Sequence, residues 1–242
     1  MQVWMEQLSA FASLGADANV DHSFKKLEAV VHALGFEYCA YGLRFPLPAA
    51  EPRTVMLNSY PPAWQQRYAE AGYIKTDPTV RHGLRSRAPL VWNDKAFASS
   101  PALWSEAWEA GLRVGWAQSS LDSHGACGML TVVRGGEPLS EAELGEKELL
   151  LRGLANMAHL TLSDVLRREL APLRMSALTA RELEVLRWQA TGKTTAEIAE
   201  ILGVVVDTVK FHTRRATTKL GASNRTSAAV RASLLGLLEA ED

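Results

Sequence analysis

The chain has 242 residues, 47% hydrophobic and 22% charged, a globular composition that excludes a disordered or fibrous protein and allows one large domain or two modest ones. Its two cysteines, Cys39 and Cys127, exclude a disulfide framework, and without a C-x-x-C pair or a His/Cys cluster no metal or cofactor is expected. The first residues lack a basic segment followed by an apolar run, and no stretch reaches the ~20 apolar residues that cross a bilayer, so a cytoplasmic protein with no membrane partner is expected. Net charge is −1, from 26 basic and 27 acidic residues, but the charge is unevenly spread: from Thr208 to Leu238 stand Lys210, Arg214, Arg215, Lys219, Arg225 and Arg231, with no Asp or Glu. A cationic block of this kind suits a polyanionic partner.

In chain order, Phe24, Leu27, Val31 and Leu34 share one helical face, which Gly35 ends. Segments 36–45, 53–60, 89–92, 115–121 and 127–133 are rich in β-branched and aromatic residues and read as strands. The links 46–52 and 122–126 are short enough for antiparallel hairpins. Helices are expected near 62–72, 78–87, 101–111 and 140–169. This pattern predicts an α+β fold, with an N-terminal α/β/α sandwich around an antiparallel five-stranded sheet. Pro172 and Ser176 then mark a linker over 170–177, which separates a domain of residues 1–169 from an all-α, four-helix domain of residues 178–242.

The C-terminal part is the more specific. Thr179-Ala180-Arg181-Glu182 and Thr194-Thr195-Ala196-Glu197 are capping boxes, each starting a helix by mutual bonding of side chain and backbone amide. Leu183, Leu186 and Ala190 form the first apolar stripe, closed by Gly192; Ile198, Ile201 and Leu202 form the second, closed by Gly203. A third helix over about 206–219 turns Val209, Ala216 and Leu220 inward and Lys210 and Arg214 outward. That is the layout of a helix that enters the major groove of DNA: Lys210 and Arg214 are expected to read base edges, and Lys193, Thr194, Thr208, Arg215 and Lys219 to meet phosphates. Ser223-Asn224 caps a fourth helix, whose Ala228, Ala229, Ala232 and Leu235 can pack on the third and on a second subunit.

These residues carry a resemblance. The run with Leu-Thr-x-Arg-Glu, Gly-Lys-Thr, Glu-Ile-Ala, Thr-Val-x-x-His, Lys-Leu and Asn-Arg, over about 175–238, resembles the LuxR-type helix-turn-helix. The family usually has Ser where Val205 stands. Losing such a cap costs about 1 kcal/mol, and Asp207 either offsets this through the helix dipole or is itself the cap.

In the N-terminal part, Tyr60, Trp64, Tyr68, Tyr73 and Asp77 fall within eighteen residues. Phenols, an indole and one carboxylate among apolar groups suit a ligand with carbonyls, an amide N–H and a greasy body. The set also resembles the sensor of LuxR-type quorum-sensing regulators, which bind N-acyl-homoserine lactones. Its marks stand here as Trp64, Tyr68, Asp77, Pro78, Trp92 and Gly115, followed by Glu182, Leu186 and Gly192 in the helix-turn-helix.

The resemblance implies that Trp64 donates to the lactone carbonyl, that Asp77 accepts the amide N–H, and that Tyr60 and Thr131 meet the amide carbonyl. Thr79 adds a polar contact, Tyr68, Trp92 and Trp104 are walls, and Gly42 and Gly115 give backbone room. Where many relatives continue after Gly115 with an Ile-Pro pair, this chain has Trp116-Ala117-Gln118-Ser119-Ser120, a departure that bears on acyl-chain preference. The implied protein is a homodimeric transcription regulator that binds a palindromic promoter site and has RNA polymerase as a further partner.

Two alternatives compete. A lactone-processing enzyme could use His124, Cys127 or His82 near Asp77, but no G-x-S-x-G elbow, metal-binding His pair or phosphate loop occurs, so no enzyme is expected. A ligand-independent regulator whose first domain only dimerises would leave a buried Asp77 without the partner that its charge requires.

Overall fold

The computed structural model describes residues 2–13, 19–46, 53–122, 125–170 and 178–238. The chain divides into two compact units. The expected linker residues 171–177 and the candidate His124 lie outside the described residues.

The first unit opens on α1 (Gln2–Ala12) and α2 (Val20–Ala33), continues through β1 (Tyr38–Arg44), β2 (Thr54–Asn58), α3 (Pro62–Glu70), a 3₁₀ turn (Tyr73–Lys75), α4 (Pro78–Gly83), β3 (Leu90–Val91), α5 (Asp94–Phe97), α6 (Pro101–Glu109), β4 (Val114–Leu121) and β5 (Cys127–Arg134), and ends on the 30-residue α7 (Glu141–Leu170). The five strands form one antiparallel sheet in the order β2-β1-β5-β4-β3. The fold is α+β, as the pattern of strands and helices implied. Helix α4 is shorter than the expected 78–87, and the reason is local. Arg87 Nη1 donates to the Gly83 carbonyl at 2.7 Å, taking the acceptor that the Arg87 amide would use in a further helical turn. Helices α1 and α5 lay outside the expected elements.

Helices cover both faces of the sheet, so β4 is buried along Val114–Ser120 rather than at alternate positions. Towards α2 and α7 the sheet turns Cys39, Tyr41 and Leu43, all wholly buried. There the Tyr41 hydroxyl meets His159 Nδ1 of α7 at 2.8 Å, His159 Nε2 lies 3.6 Å from Asp122 Oδ2, and Arg167 pairs with Asp122. Ser120 Oγ donates to Asn156 Oδ1 at 2.8 Å. This face is therefore joined to α7 through hydrogen-bonded polar groups, as buried polar atoms require.

The second unit holds α8 (Ala180–Ala190), α9 (Thr195–Leu202), α10 (Val206–Lys219) and α11 (Arg225–Leu234). Thr179 and Thr194 close both capping boxes, and Asn224 caps α11 by accepting from the Ser227 amide. Gly192 and Gly203 take positive φ at 86° and 63°, conformations that suit glycine after a helix. The stripe on α8 is rotated from its expected setting: Val185 and Leu186 are fully buried, whereas Ala190 is exposed. Helix α8 serves two clusters, Leu186 with Ala216, Ala228 and Ala232, and Val185 with Ile198 and Val209. On α9, Ile201 is exposed rather than inward.

Gly128 tests the α7 face. A Cβ there would lie 2.2 Å from His159 Nδ1 and 2.6 Å from the Tyr41 hydroxyl, both deeply buried. Gly128→Ala is expected to destabilise the protein by about 1–3 kcal/mol by overpacking, read as a lower urea midpoint. An unchanged midpoint would show that α7 can move off the sheet at little cost.

Candidate functional site

The opposite face of the sheet meets α3, the 3₁₀ turn and α4 around a cavity of about 710 Å³, a size typical of small-molecule sites. Its floor is alternate residues of three strands: Ala40, Gly42 and Arg44 on β1, Thr54, Met56 and Asn58 on β2, and Cys127, Met129 and Thr131 on β5. Its roof includes Trp64, Tyr68, Asp77 and Thr79, with Tyr60 and Trp92 also in the lining.

Asp77 organises this wall. It is the N-cap of α4, with Pro78 at the first helical position, where proline's fixed φ suits the start of a helix. Its Oδ1 accepts from the Thr79 amide at 2.7 Å and the Thr79 hydroxyl at 2.6 Å, and its Oδ2 accepts from the Tyr68 hydroxyl at 2.9 Å. Burial raises its pKa, opposed by these hydrogen bonds. Burial likewise raises the phenols of Tyr60 and Tyr68, with the nearby Asp77 charge adding to both. A carboxylate oxygen has room for more than one donor, so Oδ2 can accept a second hydrogen bond. Trp64 packs edge-on to Tyr68 with centroids 6.0 Å apart and stacks on Tyr73 at 6.3 Å. Arg67 clamps α3 to α6 through two 2.7 Å bonds to Glu106.

Seven of the eight expected ligand residues line this cavity: Tyr60, Trp64, Tyr68, Asp77, Thr79, Trp92 and Thr131. Tyr68, expected as a wall, also bonds Asp77. Trp104 stands outside the lining. It stacks on Phe97 at 4.5 Å and donates its indole N–H to Asp94 Oδ1 at 2.8 Å. Trp92 lies against Gly115, where a Cβ would come within 2.4 Å of its ring, so Gly115 is the backbone room that the indole occupies. The lining positions Arg44, Met56 and Met129 were not singled out from sequence, and Cys127, weighed there only for an enzyme, lines the floor beside them. Counting in twos along β5 from Thr131, and across the hairpin, would have found them.

In the second unit the outward face of α10 carries Asp207, Lys210, Phe211, Arg214, Arg215 and Thr218, all exposed. Val205 is the N-cap and makes no side-chain cap, so Asp207 lies in the first turn of the helix and pairs with Lys210 at 3.0 Å. Arg215 lies over the Phe211 ring at 5.5 Å. Lys193 pairs with Glu197 at 3.6 Å, Thr194 bonds Glu197, and Thr208 is half-buried.

Lys219 is placed differently from the expected phosphate contact: its Nζ donates to Glu182 Oε2 at 2.7 Å, with Arg215 Nε 3.6 Å from Oε1. Glu182 is 1% exposed. Burial alone would raise its pKa, but the Lys219 ammonium and the Thr179 amide together hold it below the usual glutamate value. The motif glutamate thus ties the start of α8 to the end of α10. Phe211, 49% exposed on the outward face, was not foreseen. Among the described residues no group of His, Cys, Asp or Glu side chains is placed to hold a metal ion, and no helix is long and apolar enough to cross a membrane.

A sheet-floored cavity with one hydrogen-bonded carboxylate, joined in one chain to a capped helix-turn-helix, defines a ligand-responsive DNA-binding regulator. Comparison with known proteins gives the family. Residues 19–162 match the autoinducer binding domain and residues 176–232 match the bacterial regulatory proteins of the luxR family. The chain is 45% identical to the transcriptional activator protein AnoR of Acinetobacter nosocomialis, over 98% of this chain and 100% of that one. Its structure is similar to that of Escherichia coli SdiA, with a TM-score of 0.81 at 30% identity over 98% of both chains. It is also similar to the N-acylhomoserine lactone dependent LuxR family factor CepR2 of Burkholderia cenocepacia, with a TM-score of 0.62 at 31% identity over 68% of this chain and 95% of that one. The chain belongs to the LuxR family of quorum-sensing transcription regulators, and it is not an enzyme.

The raised Asp77 pKa has a stability consequence. The unfolded chain releases this proton at lower pH than the folded one, so the folded state loses stability as pH rises through the raised value. Asp77→Asn removes that dependence. The melting temperature of the wild type relative to Asp77→Asn is expected to fall from about pH 4 to about pH 7; a constant difference would mean that the carboxyl titrates normally.

Proposed function

We propose that the protein is a cytoplasmic homodimeric regulator that binds an N-acyl-homoserine lactone in its first unit and a palindromic promoter site through α10, with RNA polymerase as a further partner. In this reading residues 1–169 are the sensor, 170–177 the linker and 178–242 the DNA-binding domain. The observation that carries it is that Tyr60, Trp64, Asp77 and Thr131 line one cavity among apolar neighbours, Thr131 from its floor and Trp64 and Asp77 from its roof. An acyl-homoserine lactone offers the matching groups. Trp64 donates to the lactone carbonyl, Asp77 Oδ2 accepts the amide N–H, and Tyr60 and Thr131 donate to the amide carbonyl. Thr79 and Tyr68 act by holding the carboxylate. Trp92 walls the site and Trp104 backs that wall through Phe97. The lactone dependence of CepR2 supports the same ligand class.

For DNA, exposed Lys210 and Arg214 are the base readers and Lys193, Thr194, Thr208 and Arg215 the phosphate contacts. Lys219 supports the helix through Glu182. A two-fold dimer doubles the few bases that one such helix reads, and a ligand buried in the sensor core favours the folded dimer by mass action.

Expression with acyl-homoserine lactones, followed by extraction and mass spectrometry of the purified protein, should find a stoichiometric lactone. Asp77→Ala should lose it while the second unit remains folded. Folded wild-type dimer with no lactone bound, and no lactone raising its melting temperature, would favour the ligand-independent regulator. Arg214→Ala should weaken binding to the operator by about 1–3 kcal/mol, concentrated at one base pair per half-site. A uniform loss across all sequences would make Arg214 a phosphate contact.

A further inference from the structure

The register of the sheet sets a length scale for the ligand. Antiparallel pairing aligns the cavity floor in three rows: Asn58, Ala40 and Thr131; then Met56, Gly42 and Met129; then Thr54, Arg44 and Cys127. Successive rows are two residues apart along each strand, about 7 Å, so the first and third rows are separated by about 14 Å. The rows differ in chemistry. The first holds Thr131, one of the two donors to the amide carbonyl in the proposed complex. The second is apolar and open at its centre, because a Cβ on Gly42 would meet nothing within 4 Å. The third holds Arg44, a half-buried residue whose guanidinium makes no hydrogen bond or ion pair with any described residue.

An extended alkyl chain advances about 1.25 Å per carbon, given C–C bonds of about 1.5 Å. A chain whose carbonyl carbon lies level with Thr131 and which runs along β1 passes Gly42 at about its sixth or seventh carbon, and would reach Arg44 at about its twelfth. Each methylene laid over the second row gains about fourfold in affinity by leaving water. A methylene pressed on the Arg44 guanidinium strips water from a charge and returns no acceptor, which reverses the gain. Contact distance keeps the last carbon about 4 Å short of that group.

We propose that this floor is a ruler with Arg44 as its end, selecting lactones whose unsubstituted acyl chains have about eight to ten carbons. The proposal rests on the lactone reading above. Arg44 sets the upper limit and Gly42 opens the path to it. Neither residue touches the lactone ring or the amide in this arrangement, so they set chain length without setting head-group recognition.

The test expresses the full-length protein with an equimolar set of unsubstituted lactones of about four to about fourteen carbons, then extracts and quantifies the retained species. The wild type should retain the eight- and ten-carbon lactones in at least about tenfold excess over the four-carbon one. They should also exceed the fourteen-carbon one. Arg44→Leu should move the maximum to about twelve carbons or more, and Gly42→Val, whose added methyls enter open space on the tail's path, should move it to about six or fewer. A wild-type maximum at four or fourteen carbons, a flat profile, or an Arg44→Leu profile equal to the wild type would overturn the ruler and leave lactone binding standing. If no variant retains any lactone, the lactone reading itself fails and the ruler fails with it. If Arg44→Leu does not fold, the wild-type profile and Gly42→Val decide.

Discussion

The cavity of the first unit is organised around one carboxylate that is 8% exposed and has no cation among its hydrogen-bond partners. A buried charge without a counter-ion is costly unless hydrogen bonds replace the lost water. Asp77 obtains three, from the amide and hydroxyl of Thr79 and from the Tyr68 hydroxyl. These bonds fix the start of α4, orient Tyr68 across the roof, and leave a lone pair of Oδ2 for a further donor. A ligand amide would complete the set, and recognition would then follow from a demand already present in the fold. The raised pKa of Asp77 records the same demand from the side of the proton.

The two faces of the sheet divide the work. One face is joined to α7 by Tyr41, His159, Asp122 and Arg167, whose polar atoms meet under a covering helix; Gly128 is the position where a side chain would collide with that network. The other face keeps alternate positions open for a ligand. The second unit uses a buried carboxylate in a different way. Glu182 is paired with Lys219 and approached by Arg215, so two of the cations in the basic block hold α10 against α8. Lys210 and Arg214 remain exposed on the outward side of that helix.

Much of the fold was legible because local signals agreed with tertiary demand. The strands of β1, β2, β4 and β5 coincide with the β-branched and aromatic runs to within two residues at each end, and both capping boxes form as their spacing implies. Most of the aromatic and carboxylate set converges for a local reason: Trp64 and Tyr68 are one helical turn apart on α3, and Asp77 caps the next α-helix.

What escaped was contact between distant residues. Nothing near Lys219 shows that its ammonium will meet a carboxylate 37 residues earlier, and Tyr41 and His159 are separated by 118. Ala190 and Ile201 fit a single-sided amphipathic pattern, yet Ala190 stays exposed because α8 packs on two sides through Val185 and Leu186. The resemblance implied Trp104 as a cavity wall, but α6 stacks its ring on Phe97 and bonds its N–H to Asp94.

Recognition in the proposed complex turns on the Asp77 carboxylate accepting a ligand N–H. The most direct test compares the affinity of the full-length protein for an N-acyl-homoserine lactone with that for the ester analogue of the same chain length, in which oxygen replaces the amide nitrogen. The ester should bind at least about a hundredfold more weakly, because it lacks the donor and sets a second oxygen against a buried carboxylate. Equal affinity for the two would contradict this role of Asp77.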